Sequence, residues 1–251
     1  MAVNKVKEMM LEGKPAIGAE VGLGSTLSAE LLSPLGFDYI VVDNQHGAWS
    51  DENTFHAFRG IGLGRAVPMA RVRQNDYGAI GRLLDQGALG VIVPMVNTVE
   101  QAKSAALAVR YPPRGGRSGG QFGVGFHGPD YMKWIDDEVF LAIQFETPQA
   151  VEQAEQMLAV DGVDGCWVGP HDLALNMGIN MNNAEGKQAH TAAIQHVLDA
   201  CKRTGKIPGI STGSVADAQP WLDRGCLFVT IGEDTGWMLD GARHALETVV
   251  R

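Results

Sequence analysis

The feature that most limits what this chain can fold into is a rhythm. Short runs rich in Val, Ile and Ala recur at residues 16–21 (AIGAEV), 39–44 (YIVVDN), 67–72 (VPMARV), 90–95 (GVIVPM), 140–146 (FLAIQFE), 165–170 (GCWVGP), 207–212 (IPGIST) and 227–233 (LFVTIGE). Longer stretches of helical character separate them, among them SDENTFHAFRGIG and TPQAVEQAEQML. The runs are apolar throughout rather than at alternate positions, which suits parallel strands covered on both faces. Helix starts stand at Ser50-Asp51, Asn75-Asp76, Thr98 and Thr147-Pro148, and helix-ending glycines at Gly87 and Gly205. Eight strands in strict alternation with helices over 251 residues predict a single-domain (β/α)8 TIM barrel spanning residues 1–251. An open doubly wound sheet is the second reading. It needs a Gly-rich phosphate turn after the first strand, and VGLGSTLSAE offers Gly22-x-Gly24 without a third glycine.

Composition removes several classes of function. The formal net charge is −9 and no Lys/Arg run appears, so nucleic acid is a poor partner. No stretch approaches the roughly 18 apolar residues of a membrane span, and the first residues lack the apolar core of a signal peptide. The three cysteines, Cys166, Cys201 and Cys226, are too few and too irregular for a disulfide framework or a Cys-based zinc site. A cytoplasmic location is expected.

Chemistry in such a barrel gathers at the C-terminal ends of the strands. There the sequence places Glu20, Asp43 with Gln45 and His46 just beyond, Arg71, Gln144 and Glu146, Asp172, Ser211-Thr212, and Glu233-Asp234. Each alone has an ordinary explanation: an Asp caps the next helix, an Arg pairs with an acid, a loop His is solvated. Their convergence does not. Glu146 and Asp172 close adjacent strands, and two like charges brought together resist joint ionisation unless a cation lies between them. Two paired carboxylates suit a hard ion, Mg2+ or Mn2+. A short helix is expected to start at Asp172, giving free N–H groups for an anion. Metal, anion cradle and Arg71 describe a site for a 2-oxo acid, with Arg71 stabilising an enolate and His46 as acid/base.

The segments YIVVDNQHG, PMARVRQND, LLDQGALGVIVPMVNT, RYPPRGGRSGG, IQFET, VDGVDGCWVGPHDLALNMG and GKIPGI follow one another in an order and spacing that resemble the HpcH/HpaI family of class II pyruvate aldolases. The resemblance covers nearly the whole chain and implies a metal-dependent (β/α)8 barrel. It implies Glu146 and Asp172 as metal ligands, with Co2+ a further option for the ion. Gln144 and the backbone of His171 and Asp172 would hold pyruvate. It also implies Arg71 at the enolate, His46 as acid/base, and Asp85 raising the basicity of His46. Two departures stand out. Gln45 replaces a glutamate common in relatives, keeping its shape and losing its charge, and His171 stands where Ser or Ala is frequent; a solvent-facing His171 is expected.

The resulting expectation is a lyase that reversibly cleaves 4-hydroxy-2-oxo acids to pyruvate, or hydroxypyruvate, and an aldehyde. No lysine stands at a strand end to form a Schiff base. Alternatives with other outcomes are a CoA-ester lyase, an oxaloacetate-type decarboxylase and a non-catalytic metabolite-binding barrel. The Gly-rich stretch RYPPRGGRSGGQFGVGFHGPDY is expected to line the aldehyde's path through Arg117, His127 and Tyr131. The expected partners are a small 2-oxo acid and an aldehyde, with no nucleic acid and no membrane. The resemblance implies a homohexamer, a trimer of dimers, in which C-terminal helices pack across subunits.

Overall fold

The computed structural model describes residues 3–249; residues 1, 2, 250 and 251, the ends of the expected domain, lie outside the described residues. The predicted barrel forms as a single domain. Strands β1 (Ala16–Val21), β2 (Tyr39–Asp43), β3 (Val67–Arg71), β4 (Gly90–Val93), β5 (Phe140–Phe145), β6 (Gly165–Val168), β7 (Gly209–Ser211) and β8 (Phe228–Glu233) are parallel and close in sequence order, β8 pairing with β1. The helices are α1 (Lys5–Leu11), α2 (Thr26–Leu32), α3 (Asp51–Gly62), α4 (Tyr77–Gln86), α5 (Val99–Val109), α6 (Gln121–His127), α7 (Tyr131–Glu138), α8 (Pro148–Glu152), α9 (Ala154–Leu158), α10 (Pro170–Met177), α11 (Ala184–Thr204), α12 (Val215–Leu222) and α13 (Asp234–Thr248).

The expected caps are present. Ser50, Asp76, Thr98 and Thr147 each accept a hydrogen bond from the backbone N–H three residues on. Gly87 ends α4 and Gly205 ends α11, both with positive φ. Three local readings change. The stretch 148–158 breaks at Gln153 into α8 and α9, although Ala150, Ala154, Met157 and Leu158 still share one buried face. The helix expected to begin at Asp172 begins at Pro170, because a proline fits the first helical position without losing a hydrogen bond. The Gly-rich stretch is not an open loop, since α6 and the start of α7 lie within it.

Inside the barrel the lower layer is aromatic. Tyr39 stacks on Phe228 with centroids 4.4 Å apart, and Phe140 meets Phe228 edge-on at 5.0 Å. All three are fully buried, and each such apolar side chain contributes roughly 1.5–3 kcal/mol. Small residues make the space. A Cβ on Gly18 would fall 2.2 Å from the Tyr39 ring, so only glycine fits there. Two or four residues further along these strands the interior turns polar, with Glu20, Asp43, Gln144 and Thr230, joined by Arg71 and Ser211 at the ends of β3 and β7. The apolar layer is a floor and the polar layer above it is the base of the site. From below, α1 is tied across the N-terminal face: Asn4 Nδ2 donates to the carbonyls of Leu89 (3.0 Å) and Glu138 (2.9 Å).

Candidate active site

The strand ends enclose a cavity of about 280 Å³ whose lining includes Glu20, His46, Arg71, Gln144, His171, Asp172, Ser211 and Glu233. Arg71 is its fixed point. Its Nε and Nη2 each donate to Asp43 at 2.7 Å, and Nη2 lies 3.5 Å from Glu20 Oε2. The guanidinium sits over the Trp167 ring at 5.2 Å. This clamp takes two of the three nitrogens, and Nη1 has no hydrogen-bond partner among the described residues. A planar fork held on one edge presents its other edge in a set direction.

Glu146 is buried at the end of β5. Its carboxylate accepts from the Met95 backbone N–H (2.6 Å) and from Gln144 Nε2 (2.7 Å). Burial pushes its pKa up from the ordinary carboxylate value, making it a weaker acid, and the nearby negative charge of Asp172 adds to this, against the Met95 hydrogen bond and the Arg71 charge. Met95 has φ of 54°, the only positive value at a non-glycine among the described residues, so strained backbone serves to aim an N–H at this acid. Asp172 stands in the first turn of α10. Gln144 Oε1 is buried without a partner. Two nearby acids beside an oxygen with nothing to bind are a donor set that one divalent cation could complete. Among the described residues no group of three or more His, Cys, Asp or Glu is assembled for a metal. The set therefore suits an ion that keeps several water or ligand oxygens.

The structure brings together His46, Arg71, Gln144, His171 and Asp172 around one cavity, with Glu146 bonded to Gln144. The exposed His46 ring has no hydrogen bond among the described residues, and the neighbouring Gln45 leaves a buried Oε1 without a partner. His171 is exposed, as expected. Asp85 is placed elsewhere. It accepts from Arg117 Nη2 at 2.6 Å, and Arg117 also donates to Tyr131 Oη at 3.0 Å. His127 bonds the Gly87 carbonyl at 3.2 Å and stacks on Tyr131. Arg117, His127 and Tyr131 therefore fasten the Gly-rich segment to α4 and do not line this cavity.

Sequence reasoning noticed Glu20 and Glu233 at strand ends but gave them no task. Glu20 Oε1 accepts from Ser211 Oγ (2.8 Å) and Thr230 Oγ1 (3.2 Å). Burial raises its pKa above the ordinary carboxylate value, opposed by the Arg71 charge and the Ser211 hydrogen bond. Between β1 and β8 the register runs Gly18↔Thr230 and then Glu20↔Glu233, so β8 carries one extra residue. This bulge sets Glu233 opposite Glu20. It depends on Gly232, whose φ is 148° and whose added Cβ would lie 2.8 Å from the Trp237 ring. The signal was the glycine in TIGED.

A closed (β/α)8 barrel with acids, an arginine and a histidine at its C-terminal mouth is the frame of a carbon–carbon lyase. The chain belongs to the HpcH/HpaI aldolase/citrate lyase family, whose model matches residues 21–240. It is 36% identical over 248 residues to the 4-hydroxy-2-oxo-heptane-1,7-dioate aldolase of Klebsiella pneumoniae, covering 95% of this chain and 91% of that protein. The protein of the same name from Salmonella dublin is 34% identical over 248 residues, covering 95% and 92%. The crystal structure of an HpcH/HpaI aldolase/citrate lyase family protein from Burkholderia cenocepacia is similar with a TM-score of 0.89 at 28% identity over 98% of each chain. No described helix is long and apolar enough to cross a membrane.

Proposed function

We propose that this enzyme is a divalent-metal-dependent aldolase that reversibly splits a 4-hydroxy-2-oxo acid into pyruvate, or hydroxypyruvate, and an aldehyde. The observation that carries this reading is the paired Glu146 and Asp172 beside the unpartnered Gln144 Oε1, facing the clamped Arg71. Glu146 and Asp172 would hold Mg2+ or Mn2+, with Co2+ a third candidate; when bound, such an ion polarises the 2-oxo acid as a Lewis acid. Gln144 and the backbone N–H groups of His171 and Asp172, at the start of α10, hold the pyruvate half. His46 takes the proton of the 4-hydroxyl as the C3–C4 bond breaks. Arg71 Nη1 steadies the negative charge that moves onto the 2-oxo oxygen, and a proton returned to C3 completes pyruvate.

Pyruvate incubated with the enzyme and Mg2+ in heavy water is expected to exchange its methyl protons for deuterium, followed by NMR. An absence of exchange, with no cleavage of any 4-hydroxy-2-oxo acid, would leave only a metabolite-binding barrel.

We further propose a trimer of dimers in the cytoplasm. Two uncovered apolar stripes support the assembly: α2 exposes Leu27 (63%) and Leu31 (70%), and α13 exposes Met238 (54%) and Leu246 (66%). Exchange of α13 between copies would cover both. Asp85 would then support His46 from a neighbouring copy, since within one chain its carboxylate is engaged by Arg117. The double substitution Leu27→Glu, Leu31→Glu is expected to reduce the particle to a smaller species in analytical ultracentrifugation. An unchanged sedimentation coefficient would remove α2 from the interface.

A further inference from the structure

We propose that the half of the cavity that receives the aldehyde selects an uncharged, hydroxyl-bearing aldehyde, and that substrates with a second, distal carboxylate are disfavoured. This rests on the aldolase reading and names its substrate class.

The cavity has two unlike walls. Gln144, Asp172 and Arg71 serve the 2-oxo acid. The wall built by β7, β8 and β1 presents Glu20, Ser211, Thr212 and Glu233. Two of these are acids, and they are direct partners across the β1–β8 pair. Glu233 makes no ion pair among the described residues, and it faces the cavity only because the Gly232 bulge turns it there. Glu20 meets Arg71 at 3.5 Å, whereas Asp43 meets it at 2.7 Å, so the guanidinium is committed chiefly to Asp43. Among the described residues no Lys and no second Arg lines the cavity, and the other groups there able to carry positive charge are His46 and His171.

The consequence for a ligand follows from charge and hydrogen-bond inventory. A carboxylate arriving at this wall meets two acids and no fixed cation, a juxtaposition that costs affinity. An aldehyde carrying hydroxyls meets carboxylate oxygens that accept its O–H groups and serine and threonine oxygens that accept as well. Glu20, Ser211 and Thr212 already have protein partners, so an aldehyde with neither leaves chiefly the Glu233 carboxylate without a donor when it displaces water, and sites built for hydroxyls reject such analogues. The Klebsiella and Salmonella proteins carry names that specify a 1,7-dioate. The acidic wall gives this chain a different preference.

The test sets the full enzyme, pyruvate and Mg2+ against glyceraldehyde, propionaldehyde and succinic semialdehyde at equal concentrations, with products measured by mass. The kcat/KM for glyceraldehyde is expected to exceed that for succinic semialdehyde at least tenfold. Glu233→Lys is expected to shift that ratio about tenfold toward succinic semialdehyde, and Glu233→Gln, which keeps the side chain's shape, about threefold in the same direction. Ser211→Ala is expected to lower glyceraldehyde relative to propionaldehyde. A wild-type preference for succinic semialdehyde, or a ratio unmoved by both Glu233 variants, overturns the acidic-wall proposal while pyruvate methyl exchange persists. Loss of that exchange in the wild type overturns the aldolase reading itself.

Discussion

Arg71→Ala is expected to lower kcat for cleavage on the order of 10²–10³-fold, with KM for the 2-oxo acid changed far less, as found when a preorganised donor to a developing oxyanion is removed. The reason lies in how the side chain is held. Asp43 takes Nε and Nη2 in a two-point grip at 2.7 Å each, and Trp167 lies under the guanidinium plane. The free nitrogen is therefore oriented before substrate arrives and needs no reorganisation as charge develops. Arg71→Lys is expected to recover little, because an ammonium cannot satisfy Asp43 at two points and still face the cavity. Removing the guanidinium also leaves Asp43 nearly buried without its partner, so the variants should be compared by circular dichroism as well as by initial rates of pyruvate formation. Turnover within tenfold of the wild type in a folded Arg71→Ala protein would end the enolate role.

Stripping the protein with a chelator is expected to reduce activity by more than about 10³-fold, and Mg2+, Mn2+ or Co2+ should restore it. Glu146→Ala is expected to be inactive at any metal concentration. Glu146 is held by Met95 and Gln144 at 2.6 and 2.7 Å, so its position does not depend on the ion, and its loss removes a donor that nothing nearby replaces. Isothermal titration of the stripped protein should show one divalent site, and Glu146→Ala should lose it. Activity that survives full chelation, or metal affinity unchanged in the variant, would take the two acids out of the mechanism.

The barrel was legible because its strands are buried on both faces and so read as unbroken apolar runs, and because Ser50, Asp76, Thr98 and Thr147 are local capping signals that owe little to tertiary context. The strand-end acids were legible for a related reason: closure of the barrel sends every strand end to one mouth. What escaped depends on register or on the path between elements. The pairing of Glu20 with Glu233 exists only because β8 holds one residue more than β1 at that point, and a single strand's sequence does not say what lies opposite it. The tie between Arg117 and Asp85 joins residues 32 apart, and Arg117 stands in the Gly-rich stretch whose glycines hide α6 and the start of α7. The start of α10 at Pro170 rather than Asp172 shows a smaller version of the same limit, since both residue types favour helix beginnings.

The sealed aromatic base formed by Tyr39, Phe140 and Phe228 makes the molecule a vessel with one opening. Nothing enters or departs through the bottom, so whatever lies deepest must wait for whatever sits nearer the rim. With the three-carbon acid lodged against Arg71 and Gln144 as proposed, the aldehyde would leave first and pyruvate last. In the opposite direction the loading sequence reverses, and an excess of aldehyde arriving early would stopper the opening.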